Sequence, residues 1–488
     1  MKILLVASSQ TIWGFDTGIR LPNLGLASLA GNIDQNIAQV RIADMVVSGR
    51  NSRRYLKRLI SKFQPDVIGL SAMVFQYDNI LEFAADIRGL YPQIKIVLGG
   101  YFPTVNHQEI LNSENIKYFD FLIRGEGELA FNQLIHALKY NHSLDDVPNL
   151  SYLAAGKIIN NPLTGLADLN NLDLPDRDAR ILKLGFYIAG QKADVIETSR
   201  GCVFGCKYCS IQQMYSKSFR KYSIDRVIRD IRATQKNDIK SLFIVDDNIT
   251  LDGKRYRDIC QAITDEGLNQ IVYSVQANVK GIKETPGLAQ AMAKAGTKWV
   301  FLGIENESVE ALSFMNKDMQ FSRSDAYEVV RELKDYGIFV IGGFILGNPD
   351  DSEETIWANF EYAKDLGVDI AYFFLLTPHP GTAIREELIA QGMVTNLHDY
   401  SKYTGFDACI KTKYLSSERL NQLRNDIGYL WYPSNRETVK RMVNYIPKSF
   451  ILKLVVQQMI KAPGEVRGYL KRTLFRRRYL SSVDSQII

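Results

Sequence analysis

The sequence predicts an α/β protein made of two successive parallel-sheet units followed by a helical C-terminal region. Three observations carry this. Short apolar segments alternate with helical ones across residues 1–145. The alternation loosens where Pro148, Pro162 and Pro175 interrupt it. A second series of strand–helix pairs then begins at Asp194 and runs to Leu376. Such alternation buries a parallel sheet beneath helices. A chain of 488 residues, 46% apolar and 23% charged, suits two or three globular domains.

In the first unit the strand candidates are Ile3–Ala7, Val40–Ala43, Val67–Leu70, Ile94–Leu98 and Phe119–Ile123. Helical stretches lie near 24–33, 52–63, 77–90 and 128–140. Pro65-Asp66 and Gly99-Gly100 are turn signals. Residues 146–190 read as a linker with a short hairpin around Gly156. In the second unit the strands are Asp194–Thr198, Leu242–Val245, Ile271–Val275, Trp299–Gly303, Val340–Leu346 and Ile370–Leu376. Helices near 223–236, 254–266, 286–295, 323–336 and 353–366 separate them, as in a full or partial barrel. Residues 396–488 read as helical, with Ser416–Trp431 and Lys448–Ile460 at helical spacing.

The N-terminus reads as a first strand, too short in its apolar run for a signal peptide, and no apolar stretch is long enough to span a bilayer. A cytoplasmic protein is expected. From Asn435 to Ile488 twelve Lys/Arg face three Asp/Glu, so the net charge of +5 is concentrated in the tail. That tail is read as a helical cap with a solvated basic end, or as a peripheral membrane contact. Nucleic acid is not an expected partner, because the charge is confined to the end.

Five cysteines are too few for a disulfide framework. Cys260 and Cys409 read as small buried thiols. Cys202, Cys206 and Cys209 stand together as C-x₃-C-x₂-C directly after a strand. Cubane iron–sulfur clusters usually take four thiolates. Three in one loop leave one iron open, as an open zinc position does. A zinc site would want a fourth Cys or His nearby, and none follows in this loop. Gly201 and Gly205 allow the turns that wrapping a cluster needs.

With Tyr208 as the aromatic residue, C-x₃-C-x-aromatic-C resembles the signature of the radical S-adenosylmethionine (SAM) superfamily. The resemblance implies a partial (βα)₆ barrel, a [4Fe–4S] cluster on Cys202, Cys206 and Cys209, and SAM on the open iron. It implies reductive cleavage of SAM to a 5′-deoxyadenosyl radical. An electron donor such as flavodoxin or ferredoxin would supply the electron. Asp246 and Asp247 resemble the segment that receives the SAM amino group, and acceptors there suit its N–H donors; a helix N-cap is the alternative. Gln276 ends the third strand and faces the ligand or caps the strand. Glu305, in Gly303-Ile304-Glu305-Asn306, resembles the family's SAM-contacting Glu. Gly342 and Gly343 resemble the strand whose backbone passes the adenine. Thr377–Thr382 resembles the turn closing the sixth strand, with His379 a solvated or substrate-facing side chain.

Residues 1–145 resemble the Rossmann-like cobalamin-binding domain that precedes many radical SAM barrels. Gly99-Gly100-Tyr101 and Arg124–Glu128 carry the likeness, as does Leu24–Ile33. The Asp-x-His-x-x-Gly motif for a lower axial His is absent, so cobalt's lower face falls to water or a non-ligating side chain. The layout resembles the anaerobic magnesium-protoporphyrin monomethyl ester cyclase-like group and the lipid and hopanoid methylases. The expected domains are 1–145 for cobalamin, 146–190 as linker, 191–395 as barrel and 396–488 as the helical region with its basic tail. The expected reaction is C-methylation of an apolar small molecule such as a lipid, terpenoid or tetrapyrrole, with oxidative cyclisation as the alternative. A non-catalytic iron–sulfur protein would fail to cleave SAM.

Overall fold

The structure is a computed structural model, and it describes residues 1–12, 18–317, 320–434 and 441. The expected helix at 448–460 and most of the basic tail lie outside the described residues. No helix among the described residues is long and apolar enough to cross a membrane.

The first sheet has seven strands in the order Gln39–Asp44, Lys2–Ala7, Val67–Ser71, Lys95–Gly99, Phe121–Ile123, Leu150–Ala154, Lys157–Asn160. The first five are parallel. Strands this apolar suit a sheet covered on both faces, and two separate apolar cores flank it. The order 2-1-3-4-5 places a topological switch between Lys2–Ala7 and Val67–Ser71, beyond whose C-terminal ends such sheets bind ligands. The hairpin expected around Gly156 is present. It joins this sheet as two antiparallel strands, so residues 150–160 pack with the first unit instead of standing apart as linker.

The rest of the connecting segment is anchored by buried charge. Arg177 donates to Asp230 at 2.5 Å and Arg180 to Asp194 at 2.7 Å, all four side chains being buried. Each guanidinium meets a carboxylate on the barrel, which offsets the cost of desolvating it.

In the second sheet six parallel strands lie side by side in chain order: Gln191–Ile196, Ser241–Ile244, Val272–Asn278, Thr297–Glu305, Phe339–Leu346 and Ile370–Leu375. Helices between them bury the outward side chains in one large core. This is the expected partial barrel. Two short antiparallel strands, Tyr187–Ile188 and Ile19–Arg20, extend its first edge. The last edge is covered by the C-terminal region: Leu375 N–H bonds Gly405 O at 2.7 Å, and Arg424 Nε and Trp431 Nε1 donate to Phe373 O and Asp369 O. An uncovered edge would template pairing with other chains. The covering helix is Ser417–Ser434.

In the first unit one α-helix was not legible. Tyr101–Asn112 follows Gly99-Gly100 directly and carries Pro103 in its first turn. Proline reads as a breaker, but in a first turn its missing N–H has no partner to lose. Cys260 and Cys409 are buried and unbridged, as expected.

Candidate active site

The loop Gly201–Phe219 carries the three cysteines at the C-terminal end of the first barrel strand. Gly201 sits at φ +89°, and a Cβ there would fall 2.3 Å from Ser218 O, so the turn requires glycine. The loop is tied down by Asn316 Nδ2 donating to Gly205 O at 2.7 Å and by Lys207 N–H donating to Met315 O at 3.0 Å. Cys202, Cys206 and Cys209 are free and partly exposed. Gln320 Nε2 donates to Cys206 Sγ at 3.3 Å. Burial pushes the Cys209 thiol up to about 12 and raises Cys202, with the neighbouring cysteines adding to both. Metal charge overcomes such shifts by displacing the protons.

Three partly exposed thiols on one loop are the donor set a cubane with one open iron requires. Among the described residues no three ligating side chains are closed on a metal-sized point. The loop thus presents donors and not a finished cage.

The two adjacent aspartates divide. Asp246 is buried, and its Oδ1 accepts from Thr198 N–H at 2.6 Å. Its Oδ2 accepts from Thr198 Oγ1 at 2.6 Å and Ser199 Oγ at 2.5 Å. This corrects the expectation for Asp246. Its carboxylate is spent on joining the first two strand ends. Among the described residues Asp247 accepts only from Gly201 N–H, at 2.9 Å, and it lines a cavity. Burial pushes its carboxyl up to about 6.

Glu305 forms a buried ion pair with Lys317, and Tyr208 Oη donates to Glu305 Oε1 at 3.0 Å. Burial, then the Glu305 charge, raises the Tyr208 phenol well above its usual range. Glu305 holds φ +70°, a left-handed conformation that a non-glycine residue adopts at a cost. A Cβ on Gly303 would lie 2.7 Å from Glu305 Oε1 and 3.0 Å from Lys317 Nζ, so the glycine makes room for the pair. Lys317 was not singled out in the sequence. It follows a short helix, Val309–Phe314, and nothing in local spacing points it back to Glu305.

The paired glycines of the fifth strand face opposite ways. A Cβ on Gly343 would strike Phe301, on the bore side. One on Gly342 would meet Phe344, Ile304 and Val368, the outer core. Gly342 is therefore corrected to a packing position, as strand alternation demands. Gln276 shares the bore face, since Val275 and Ala277 on either side belong to the outer core. Tyr372, Phe374, Phe301 and Phe406 form a run of aromatic contacts with centroids 5.2–6.3 Å apart. His379 is not a solvated loop residue. Its Nδ1 is buried with no hydrogen-bond partner among the described residues, its ring meets Tyr403 edge-on at 6.0 Å, and burial pushes it down to about 4.

A cavity of about 290 Å³ lies between the two sheets. Its first-unit wall is Leu5, Gly69, Ser71, Gly99, Gly100 and the loop Gly125–Glu128; its barrel wall includes Arg200, Tyr215 and Asp247. A Cβ on Gly99 or Gly125 would point into open space. Gly100 sits at φ +94° pressed against Ala72 O. Tyr101 is beside Ser210, within reach of the charges on Asp247 and Cys209, and burial raises its phenol. The expected glycine loop and the cysteine loop thus face each other across one cavity. Its glycine-lined floor at the switch point fits a flat or extended cofactor tail.

Comparison with known proteins agrees with this layout. The B12 binding domain family matches residues 14–135, and the Radical SAM superfamily matches residues 196–381. An uncharacterized methyltransferase of Pyrococcus horikoshii is 31% identical over 465 residues, covering 94% of this chain and 98% of the relative. The anaerobic magnesium-protoporphyrin IX monomethyl ester cyclase of Rubrivivax gelatinosus is 24% identical, over 90% of this chain and 80% of the relative. The structure of the radical SAM methyltransferase TsrM from Kitasatospora setae, solved with cobalamin and a [4Fe–4S] cluster bound, superimposes with a TM-score of 0.69. That match has 16% identity and covers 89% of each chain.

Proposed function

Because the chain belongs to the radical SAM family whose members carry a B12-binding domain ahead of the barrel, we propose that it cleaves SAM reductively and methylates an unactivated carbon of an apolar small molecule. The observation that carries this reading is the shared cavity. Gly99, Gly100 and Gly125 of one unit and Asp247 and Tyr215 of the other line the same space.

When bound, the [4Fe–4S] cluster supplies the electron that splits SAM, and cobalamin supplies the methyl group. The residues of this chain hold and orient. Cys202, Cys206 and Cys209 are the cluster's ligands. Asp247, with one carboxylate oxygen unpartnered among the described residues, would accept from the N–H groups of the SAM amino group. Glu305, held by Lys317 and Tyr208, and Gln276 present polar atoms to the bore. Gly343 lets the strand backbone approach the ligand closely. Tyr101 spans from the cobalamin side to the cysteine loop. Phe301, Tyr372, Phe374 and Phe406 give an apolar wall against which an apolar substrate excludes water. A reduced flavodoxin or ferredoxin is the electron donor.

The cyclase relative supports a second reading, oxidation of the radical carbon. SAM carrying a trideuterated methyl group separates the two. Methylation places three deuterons on the product of a cell extract treated with the holoenzyme; oxidation places none.

A further inference from the structure

The cysteine loop leaves and re-enters the barrel through a neck two residues wide. Ser199–Arg200 pairs antiparallel with Arg220–Lys221, and Arg200 lies directly opposite Arg220. The three cysteines hang from this neck. Like charges directly opposite on paired strands repel, and a ribbon this short has little stability alone. The barrel's own Arg255 ties the base of the neck through Thr198 O and Tyr222 O, and its Glu197 bonds Arg200 but, among the described residues, not Arg220, so the facing charge on Arg220 is left unpaired by the barrel.

A carboxylate from the other unit neutralises it. Glu126 Oε1 accepts from Arg200 Nη1 at 2.8 Å and from Arg220 Nη2 at 2.8 Å. Its Oε2 accepts from Arg220 Nη1 at 2.9 Å and from Ala167 N–H at 3.1 Å. Glu128 and Glu197 also accept from Arg200, at 2.7 Å each, but among the described residues only Glu126 bonds both arginines. The Glu126 side chain is 8% exposed and that of Arg200 6%, so water does not screen these pairs.

We propose that Glu126 is a positioning residue for the metal-binding loop, holding its neck closed from the N-terminal half of the chain. The loop keeps its cluster-binding geometry only while the first unit is docked. This rests on the reading that the three cysteines hold a [4Fe–4S] cluster. Removing Glu126 leaves Arg200 with Glu128 and Glu197, but strips Arg220 of its carboxylate partner and breaks the bridge between the two facing guanidiniums.

The test is the rate at which the anaerobically reconstituted full-length chain loses iron to bathophenanthroline disulfonate. Glu126→Gln and Arg220→Gln each accelerate release about ten-fold, and the double variant is no faster than the quicker single, because both break one network. Asp120→Asn breaks the Arg88–Asp120 pair, which stays inside the first unit. It stays within about two-fold of wild type, since it shares no partner with the neck. Should Glu126→Gln fail to fold, Arg220→Gln decides. Release at the wild-type rate from both neck variants overturns the proposal, as does equal acceleration by Asp120→Asn. A wild-type chain that takes up no cluster contradicts the cluster reading itself.

Discussion

Lys317 closes on Glu305 in a buried ion pair at the rim of the fourth barrel strand, with Tyr208 of the cysteine loop donating to the same carboxylate oxygen. Loop and strand are thereby joined through one acid. Breaking such a pair from one side leaves a buried charge uncompensated, which typically costs about 3–5 kcal/mol. Lys317→Met is expected to lose about 3 kcal/mol by denaturant unfolding, and Lys317→Met with Glu305→Gln to lose clearly less. Equal losses would mean that the pair contributes nothing beyond packing.

The two aspartates give a paired prediction. Asp246→Asn places an amide among three donors, so at least one buried donor goes unsatisfied. The expected cost is about 2 kcal/mol or more by denaturant unfolding. Asp247→Asn keeps the Gly201 contact through its carbonyl and unfolds within about 0.5 kcal/mol of wild type. It instead weakens SAM binding, measured on the reconstituted chain.

The first-unit half of the cavity can be filled without touching the cysteines. A side chain on Gly99 enters open space. Gly99→Val is expected to lower cobalamin retained through purification at least about ten-fold, by occupying volume the ligand needs. Iron taken up on reconstitution stays at the wild-type level. Loss of both would place Gly99 in the fold's stability and not in the cavity.

His379 gives a pH signature. Burial, aided by the Arg385 charge, lowers its folded value to about 4, whereas unfolded histidine titrates near 6.5. Between those values the native state binds fewer protons than the unfolded state. Its contribution is therefore whole above about pH 6.5 and is lost as the pH falls toward 4. His379→Gln should lose about 1–2 kcal/mol less than wild type on going from pH 7 to pH 5. Asp247, raised to about 6, acts with the opposite sign in both proteins and cancels in the comparison.

The sequence carried the architecture because its signals were periodic. The eleven expected strands, such as Val67–Leu70 and Trp299–Gly303, lie where apolar runs end in turn residues. The cysteine triad was legible for the same reason, being local. What was not legible depends on contacts across long separations. Lys317 meets Glu305 through the curl of a strand end. Glu126 meets Arg200 and Arg220 across the two units. Asp246 and Asp247 look alike in sequence, as do Gly342 and Gly343. Strand alternation separates Gly342 from Gly343, and the bonds of Asp246 to Thr198 and Ser199 separate it from Asp247. The helix Tyr101–Asn112 was hidden by a proline that is harmless in its first turn.

The central claim is that Cys202, Cys206 and Cys209 hold a cluster that cleaves SAM. The most direct measurement is 5′-deoxyadenosine formed by the anaerobically reconstituted chain given SAM and dithionite. The wild-type chain is expected to form it, and Cys202→Ala to lose both the cluster absorbance and the product. A wild-type chain that holds its cluster and forms no 5′-deoxyadenosine would contradict the account.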